Sequence, residues 1–169
     1  PITFLASANC ARYRGASVDF VDIDPRSHNL SPAALEEKLQ RAEREGRLPK
    51  LVMPVHLCGQ PADLPAIHAL SRRYGFHVVE DASHAIGATL GDGPIGDGRY
   101  SDATVFSFHP VKIITTAEGG LLSTQDDALA ARLRLLRSHG MTREPAEMEG
   151  ESEGGWYYEQ VALGYNYRM

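Results

Sequence analysis

The sequence predicts an α/β fold in which a mostly parallel sheet lies between helices. Short apolar segments typical of strands alternate with segments whose apolar residues recur at helical spacing. Glycine and proline stand at many of the boundaries between them. The chain has 169 residues, 43% of them apolar and 23% charged, which is enough to bury one globular core. Strands that alternate with helices in this way favour a parallel sheet covered by helices.

The first part of the chain contains three predicted strands and two predicted helices. The alternation of apolar and polar residues at 17–22 is typical of a short strand. A helix is predicted to begin at Ser31, because Pro32 follows it and apolar residues then recur on one face until Gly46. The predicted strands are 17–22, 50–56 and 76–81, the predicted helices are 31–46 and 63–73, and residues 1–5 suggest a strand or a tight loop.

The second part continues with shorter elements. Glycine-rich residues 87–98 predict a turn, and residues 103–107 and 120–123 predict short strands. A helix is predicted over 126–137, with three leucines on its buried side, Leu129, Leu133 and Leu136. Residues 142–155 are polar and contain five glutamates, so we expect an exposed loop there.

Composition and charge argue against several classes of function. The formal net charge is −5 and no run of Lys and Arg occurs, so no nucleic-acid partner is expected. Cys10 and Cys58 lie far apart without CxxC spacing, so we expect no disulfide framework and no metal site. No apolar run reaches the ~18 to 20 residues that span a bilayer, and residues 1–5 do not resemble a secretion signal. We therefore expect a soluble, cytoplasmic protein with no membrane partner.

Polar side chains stand where two predicted strands end. Asp81 ends one strand, Ser107 ends another, and Lys112 follows five residues later. In α/β folds, functional residues collect at the carboxyl ends of the parallel strands. Lys112 lies between apolar Val111 and Ile113, and burial there would favour its neutral amine, a candidate nucleophile. Spacing alone leaves a surface lysine in a loop as an equal alternative.

Several blocks of sequence resemble the DegT/DnrJ/EryC1/StrS family of sugar aminotransferases, which depend on pyridoxal 5'-phosphate (PLP). These blocks are TFLASAN at 3–9, EDASHA at 80–85, FSFH at 106–109 followed by Lys112, TAEGG at 116–120 and GYNYR at 164–168. The resemblance covers essentially the whole chain and implies the type I fold of PLP-dependent transferases. It implies that residues 1–169 are part of the cofactor-binding large domain, without the family's N-terminal phosphate-loop segment and its small C-terminal domain.

The resemblance also implies a role for each of six residues. Lys112 would hold PLP as a Schiff base and move the proton between substrate and cofactor carbons, while Asp81 would keep the pyridine nitrogen protonated. The other implied cofactor contacts are His84 near the ring hydroxyl, Ser107 on the phosphate, Phe4 against the ring face, and Asn166 on a phosphate across a dimer interface. Each of these residues also has a purely structural alternative, as a cap, turn or packing residue. His109 is left open between substrate contact and packing.

Within the family, the sequence is most similar to the branch that acts in pseudaminic acid biosynthesis. That similarity implies amino transfer from glutamate to C4 of a UDP-linked 4-keto-6-deoxy-N-acetylhexosamine, by a homodimeric full-length protein. One alternative is a PLP- or PMP-dependent sugar dehydratase, in which histidine replaces the lysine, and Lys112 argues against it. A second is a non-catalytic fragment or regulatory homologue that keeps the cofactor pocket. An NAD-dependent oxidoreductase is a further option, but no GxGxxG follows a first strand.

Overall fold

A four-stranded sheet lies between residues 51 and 123 of the structure, a computed structural model that describes residues 2–167. Its strand order is β1-β2-β5-β6, formed by Leu51–Val52, His77–Asp81, Ala103–Ser107 and Gly120–Ser123. The β1–β2 and β2–β5 pairs are parallel, and the β5–β6 pair is antiparallel. The predicted α/β fold with a mostly parallel sheet is therefore confirmed.

Four α-helices accompany these strands in the described part of the chain. They are α1 (Ala6–Tyr13), α2 (Pro32–Arg44), α3 (Leu64–Tyr74) and α4 (Asp127–Arg137). Side-chain caps fix where three of them begin: Ser31, Asp63 and Asp126 each accept a hydrogen bond from a main-chain N–H in the first turn. Gly75, at φ +74°, ends α3 in the left-handed conformation that glycine adopts most easily. Within residues 2–167, no helix has the length and apolar character needed to cross a bilayer.

The hydrophobic core anchors the strands that carry the site. One cluster joins α2 and α3 to the first two strands, through Leu35, Leu39, Val52, Ala62, Ile67, Leu70, Tyr74, Phe76 and Val78. A second cluster contains Leu64, Ala82, Ala85, Ile95 and Phe106. Each fully buried aliphatic or aromatic side chain stabilises the fold by about 1.5–3 kcal/mol. Because β2 and β5 contribute to these clusters, the ends of both strands are firmly positioned.

Smaller elements complete the chain. Residues 87–98 contain the predicted turn, built around a short hairpin of β3 (Thr89–Leu90) and β4 (Gly93–Pro94). The chain divides into two units, Pro1–Gln125 and Asp126–Met169. The second unit contains α4 and a two-stranded ladder of β7 (Met141–Thr142) and β8 (Glu159–Gln160). Short 3-10 turns occupy Leu57–Gly59 and Pro145–Glu147.

Three sequence predictions differ from the structure. Residues 17–22 form no strand. Instead, the Lys38 ammonium binds the Asp19 carboxylate (2.7 Å) and the Phe20 carbonyl, so a side chain of α2 holds the segment. The strand predicted at 50–56 is only two residues long. In α4, the leucines predicted to be buried are only half-buried within the described residues.

Candidate functional site

The sheet brings the ends of two predicted strands to one edge. Asp81 is the last residue of β2 and Ser107 the last residue of β5. The two strands are parallel, with Asp81 opposite Val105 in the register, so Ser107 lies two residues further in the same direction. Carboxyl ends of parallel strands form the edge where α/β proteins bind ligands. The structure therefore brings Asp81 and Ser107 to the edge where the sequence predicted a site.

Hydrogen bonds on both sides orient the Asp81 carboxylate. Its Oδ2 accepts a hydrogen bond from the Ser7 hydroxyl (2.6 Å), and its Oδ1 accepts one from the Ser83 main-chain N–H (3.1 Å). Its own main chain is bonded to Pro54 and His56, which ties the end of β2 to the segment that follows β1. A carboxylate can accept about four hydrogen bonds. The half-buried Asp81 can thus take a further donor beside Ser7 and Ser83.

A turn after β1 fixes the His84 ring. The Cys58 main-chain N–H donates to His84 Nδ1 (3.3 Å), so this ring nitrogen is unprotonated and the neutral imidazole carries its proton on Nε2. Gly59 lies against the same residue: a Cβ on Gly59 would come within 2.9 Å of the His84 carbonyl oxygen. The half-buried His84 can therefore donate a hydrogen bond through Nε2–H.

Lys112 lies in the loop that joins β5 to β6. Main-chain hydrogen bonds from Phe108 N–H to the Gly119 carbonyl (2.9 Å) and from Thr116 N–H to the Phe108 carbonyl (3.1 Å) close the base of this loop. Lys112 is half-buried, but its neighbours Val111 and Ile113 are 79% and 69% exposed. Val111 and Ile113 therefore do not enclose the lysine, and of the two alternatives that spacing left open, the structure shows a lysine in a loop.

The other predicted site residues lie in different surroundings. The Ser107 hydroxyl accepts a long hydrogen bond from the His109 main-chain N–H (3.4 Å) and is half-buried, whereas His109 is exposed. Phe4, just before α1, is 71% exposed, so its ring is accessible. Asn166 belongs to the second unit, where its backbone forms an isolated bridge with Ser138. Nothing in these contacts assigns a role to His109.

A buried polar network supports β2 on the face opposite Asp81. The neighbouring residue Glu80 is 2% exposed, and its carboxylate accepts hydrogen bonds from His56 Nε2 (2.8 Å), Thr104 Oγ1 (3.0 Å) and Ser101. Burial alone would raise the pKa of Glu80, but the hydrogen bonds from these three donors outweigh it and hold that pKa below its usual value. His56 Nδ1 accepts a hydrogen bond from the Ala62 N–H (3.0 Å), which leaves Nε2 as the ring nitrogen that faces Glu80.

Comparison with known proteins decides the family. The sequence profile of the DegT/DnrJ/EryC1/StrS aminotransferase family matches residues 1–169. The chain belongs to this family. It is 42% identical over 168 residues to the GDP-perosamine synthase of Caulobacter vibrioides, covering 99% of this chain and 40% of that protein. The predicted family and fold are therefore confirmed.

Two further relatives of this DegT-family chain are named as a transaminase and an aminotransferase. It is 36% identical over 170 residues to the UDP-4-amino-4,6-dideoxy-N-acetyl-beta-L-altrosamine transaminase of Campylobacter jejuni, covering 100% of this chain and 41% of that protein. Among solved structures it is similar to Helicobacter pylori PseC, an aminotransferase involved in the biosynthesis of pseudoaminic acid, with a TM-score of 0.85 and 29% identity over 99% of this chain and 40% of that one. The chain spans about two fifths of the length of these relatives.

Aminotransferases of the DegT family depend on PLP, and the described side chains fit this cofactor. The Asp81 carboxylate retains acceptor capacity for a protonated ring nitrogen. Ser107 ends β5, and Lys112 lies in the loop that leaves β5 at this edge of the sheet. PLP supplies an electron sink that stabilises negative charge on a substrate carbon. The chain would supply the groups that hold it and move protons.

Sequence reasoning missed two contributors to this site. Ser7 bonds Asp81 from the first turn of α1, a helix that the sequence analysis did not predict. Three of the six residues from Ala6 to Ala11 are alanine, the residue with the highest helix propensity, and this signal could have indicated the helix. The Leu57–Gly59 turn was also missed, although Gly59 stands shortly after the predicted strand at 50–56, and glycine is typical of turns.

Proposed function

We propose that the protein carrying this chain is a PLP-dependent aminotransferase that acts on a nucleotide sugar. In this proposal it transfers the amino group of glutamate to C4 of a UDP-linked 4-keto-6-deoxy-N-acetylhexosamine, for the synthesis of a surface-glycan sugar. Residues 1–169 would belong to its cofactor-binding large domain. Both cysteines are exposed free thiols, which suits a reducing cytoplasm. A homodimer, to which Asn166 would contribute a cofactor phosphate contact, is part of the same proposal.

The observation that carries the proposal is the position of Lys112. This lysine lies in the β5–β6 loop, and β5 is the parallel neighbour of the strand that ends in Asp81. An amine nucleophile and a carboxylate at one sheet edge match the two groups that PLP chemistry needs from a protein. The family match over residues 1–169 and the transaminase among the relatives support the same reading.

Each residue of the proposed site has one task. Lys112 would hold the cofactor through its amine and, when that amine is free, would carry the proton between the substrate carbon and the cofactor carbon. Asp81, oriented by Ser7, keeps the ring nitrogen protonated. His84 donates Nε2–H to the ring oxygen, because Cys58 occupies its Nδ1. Ser107 binds the phosphate, and Phe4 covers the ring face.

A transamination assay tests the proposal. The full-length protein is incubated with PLP, glutamate and the UDP-linked keto sugar, and both 2-oxoglutarate and the amino sugar are quantified by mass spectrometry. We expect equal amounts of both products from the wild type and none above background from Lys112→Ala. The matched control is Lys50→Ala, which removes an exposed lysine outside the site and should keep the wild-type rate. Wild-type turnover by Lys112→Ala would overturn the proposal.

The sugar is tested separately from the reaction. The same assay is repeated with a GDP-linked 4-keto-6-deoxyhexose, because one relative is a GDP-perosamine synthase. A higher kcat/KM for the UDP-linked sugar supports the substrate in the proposal. A higher value for the GDP-linked sugar would refute that substrate while leaving the aminotransferase activity in place. No product from either sugar would refute the substrate class.

A further inference from the structure

A buried asparagine outside the predicted site holds both ends of the turn that contacts His84. Asn29 is only 3% exposed. Its Oδ1 accepts a hydrogen bond from the Leu57 main-chain N–H (3.0 Å), and its Nδ2 donates to the Gln60 carbonyl (2.8 Å). These two groups flank the Leu57–Gly59 turn. A single side chain therefore fixes the entry and the exit of the turn, and its donor and its acceptor are both used.

The turn needs this support because its backbone is strained. Cys58 has φ 54° and ψ 23°, a left-handed conformation that non-glycine residues adopt at a cost of order 1–3 kcal/mol. Such conformations persist when the surrounding contacts determine them. Here the Cys58 conformation directs its N–H to His84 Nδ1 at 3.3 Å. That hydrogen bond determines which nitrogen of the neutral His84 ring carries the proton.

We propose that Asn29 is a positioning residue for His84. By holding the Leu57–Gly59 turn, it keeps the Cys58 N–H on Nδ1 and therefore keeps the proton on Nε2, the atom that would donate to the cofactor. The same arrangement recurs in metal sites, where a hydrogen bond to one ring nitrogen fixes the tautomer used by the other. The inference rests on the proposed cofactor contact of His84, but its effect on the ring itself does not need the cofactor.

The test is nuclear magnetic resonance of the full-length protein with ¹⁵N-labelled histidine, with and without added PLP. The His84 signal is assigned by its loss in His84→Asn. In the wild type we expect one neutral form, with unprotonated Nδ1 and protonated Nε2. Asn29→Leu keeps the side-chain size but removes both hydrogen bonds, so we expect His84 to show a mixture of the two neutral forms. We also expect the Kd of the Asn29→Leu variant for PLP to be about three- to tenfold higher than that of the wild type, the size of effect that follows from one weakened hydrogen bond.

Two further variants separate positioning from general loss of stability. Ile67→Val shortens a fully buried side chain in α3, at a cost of about 0.5–1.5 kcal/mol, without touching the turn. It should leave the His84 spectrum and the Kd unchanged. Asn29→Asp keeps the acceptor for the Leu57 N–H, so its His84 spectrum should lie between those of the wild type and Asn29→Leu. If Asn29→Leu does not fold, Asn29→Asp tests the positioning role in its place.

Each outcome bears on one claim. An unchanged His84 spectrum in the folded Asn29 variants would overturn the positioning role. A shifted tautomer without any binding of PLP by the wild type would support the role of Asn29 and refute the proposed cofactor function. A shifted tautomer in Ile67→Val would also overturn the inference, because any destabilising change would then have the same effect.

Discussion

The buried His56–Glu80 pair provides a quantitative test of how the edge of the sheet is held. His56 is fully buried, donates to Glu80 through Nε2 (2.8 Å) and accepts the Ala62 N–H through Nδ1 (3.0 Å). Its main-chain N–H bonds the Asp81 carbonyl (3.0 Å). His56→Ala leaves the Glu80 carboxylate with fewer donors in a site that excludes water, and it also orphans the Ala62 N–H. Both losses act on the folded state.

The expected cost follows from burial. Losing a hydrogen bond to a buried charged group costs about 1.5–3 kcal/mol, and leaving the buried Ala62 N–H without an acceptor costs about 1–3 kcal/mol more. The whole free energy of unfolding of a domain is only about 5–15 kcal/mol. We therefore expect His56→Ala to lower the free energy of unfolding by at least ~3 kcal/mol. The exposed pair of Glu36 and Arg73 (2.7 Å) is the control, because such pairs contribute about 0–1 kcal/mol.

Urea unfolding of the full-length protein, followed by circular dichroism, measures the difference. Glu36→Gln should shift the free energy of unfolding by less than ~1 kcal/mol. His56→Gln, whose amide can still donate towards Glu80, should fall between the wild type and His56→Ala, and it replaces the latter if that variant does not fold. A loss below ~1 kcal/mol in His56→Ala would refute the reasoning, because the buried carboxylate would then not depend on its imidazole partner.

The remaining predictions concern Glu80 itself and the contacts of the site. Because the pKa of Glu80 lies below its usual 4.5 in the folded protein, its contribution to the free energy of unfolding is present above pH 4.5 and is lost as the pH falls through the lower folded value. Glu80→Gln should therefore flatten the loss of stability in acid. An unchanged slope of stability against pH in this variant would contradict the prediction. Gly59→Ala should cost at least ~1 kcal/mol more than Gly46→Ala in urea unfolding, since both positions have positive φ but only the first brings a Cβ within 2.9 Å of a main-chain oxygen; equal costs would exclude that clash. Ser7→Ala should weaken PLP binding about tenfold in a titration followed by absorbance, because a hydrogen bond to the Asp81 carboxylate is lost; an unchanged Kd would remove Ser7 from the site.

The fold could be predicted where local signals were strong. Helix α2 begins at a Ser-Pro pair and α3 at an aspartate followed by apolar residues at helical spacing, and both were predicted within two residues of their ends. The segment 17–22 has the alternation of a strand but forms no ladder, because a strand also needs a partner, which a local pattern does not specify. Helix α1, in contrast, forms without a clear sequence pattern, because none of its residues is buried and no apolar face marks it.

The part of the candidate site that lies at the ends of strands could be located from the sequence. The positions of Asp81 and Ser107 at strand ends could be predicted from the pattern of strands, while the roles of these residues and of Lys112 come from the family resemblance and stay predictions. The contacts of Ser7 and Asn29 could not, because each joins segments distant in sequence: 74 residues separate Ser7 from Asp81, and 28 separate Asn29 from Leu57. Only the folded chain brings such pairs together. These contacts orient the predicted residues.

The most direct test of the central claim is the absorbance spectrum of the full-length protein with PLP, before and after borohydride reduction, followed by peptide mapping. We expect a visible band from cofactor bound to an amine, its loss on reduction, and a stable pyridoxyl group on Lys112. Lys112→Ala should show neither the band nor the adduct, while Lys50→Ala should show both. No band, or an adduct on any other lysine, would contradict the account.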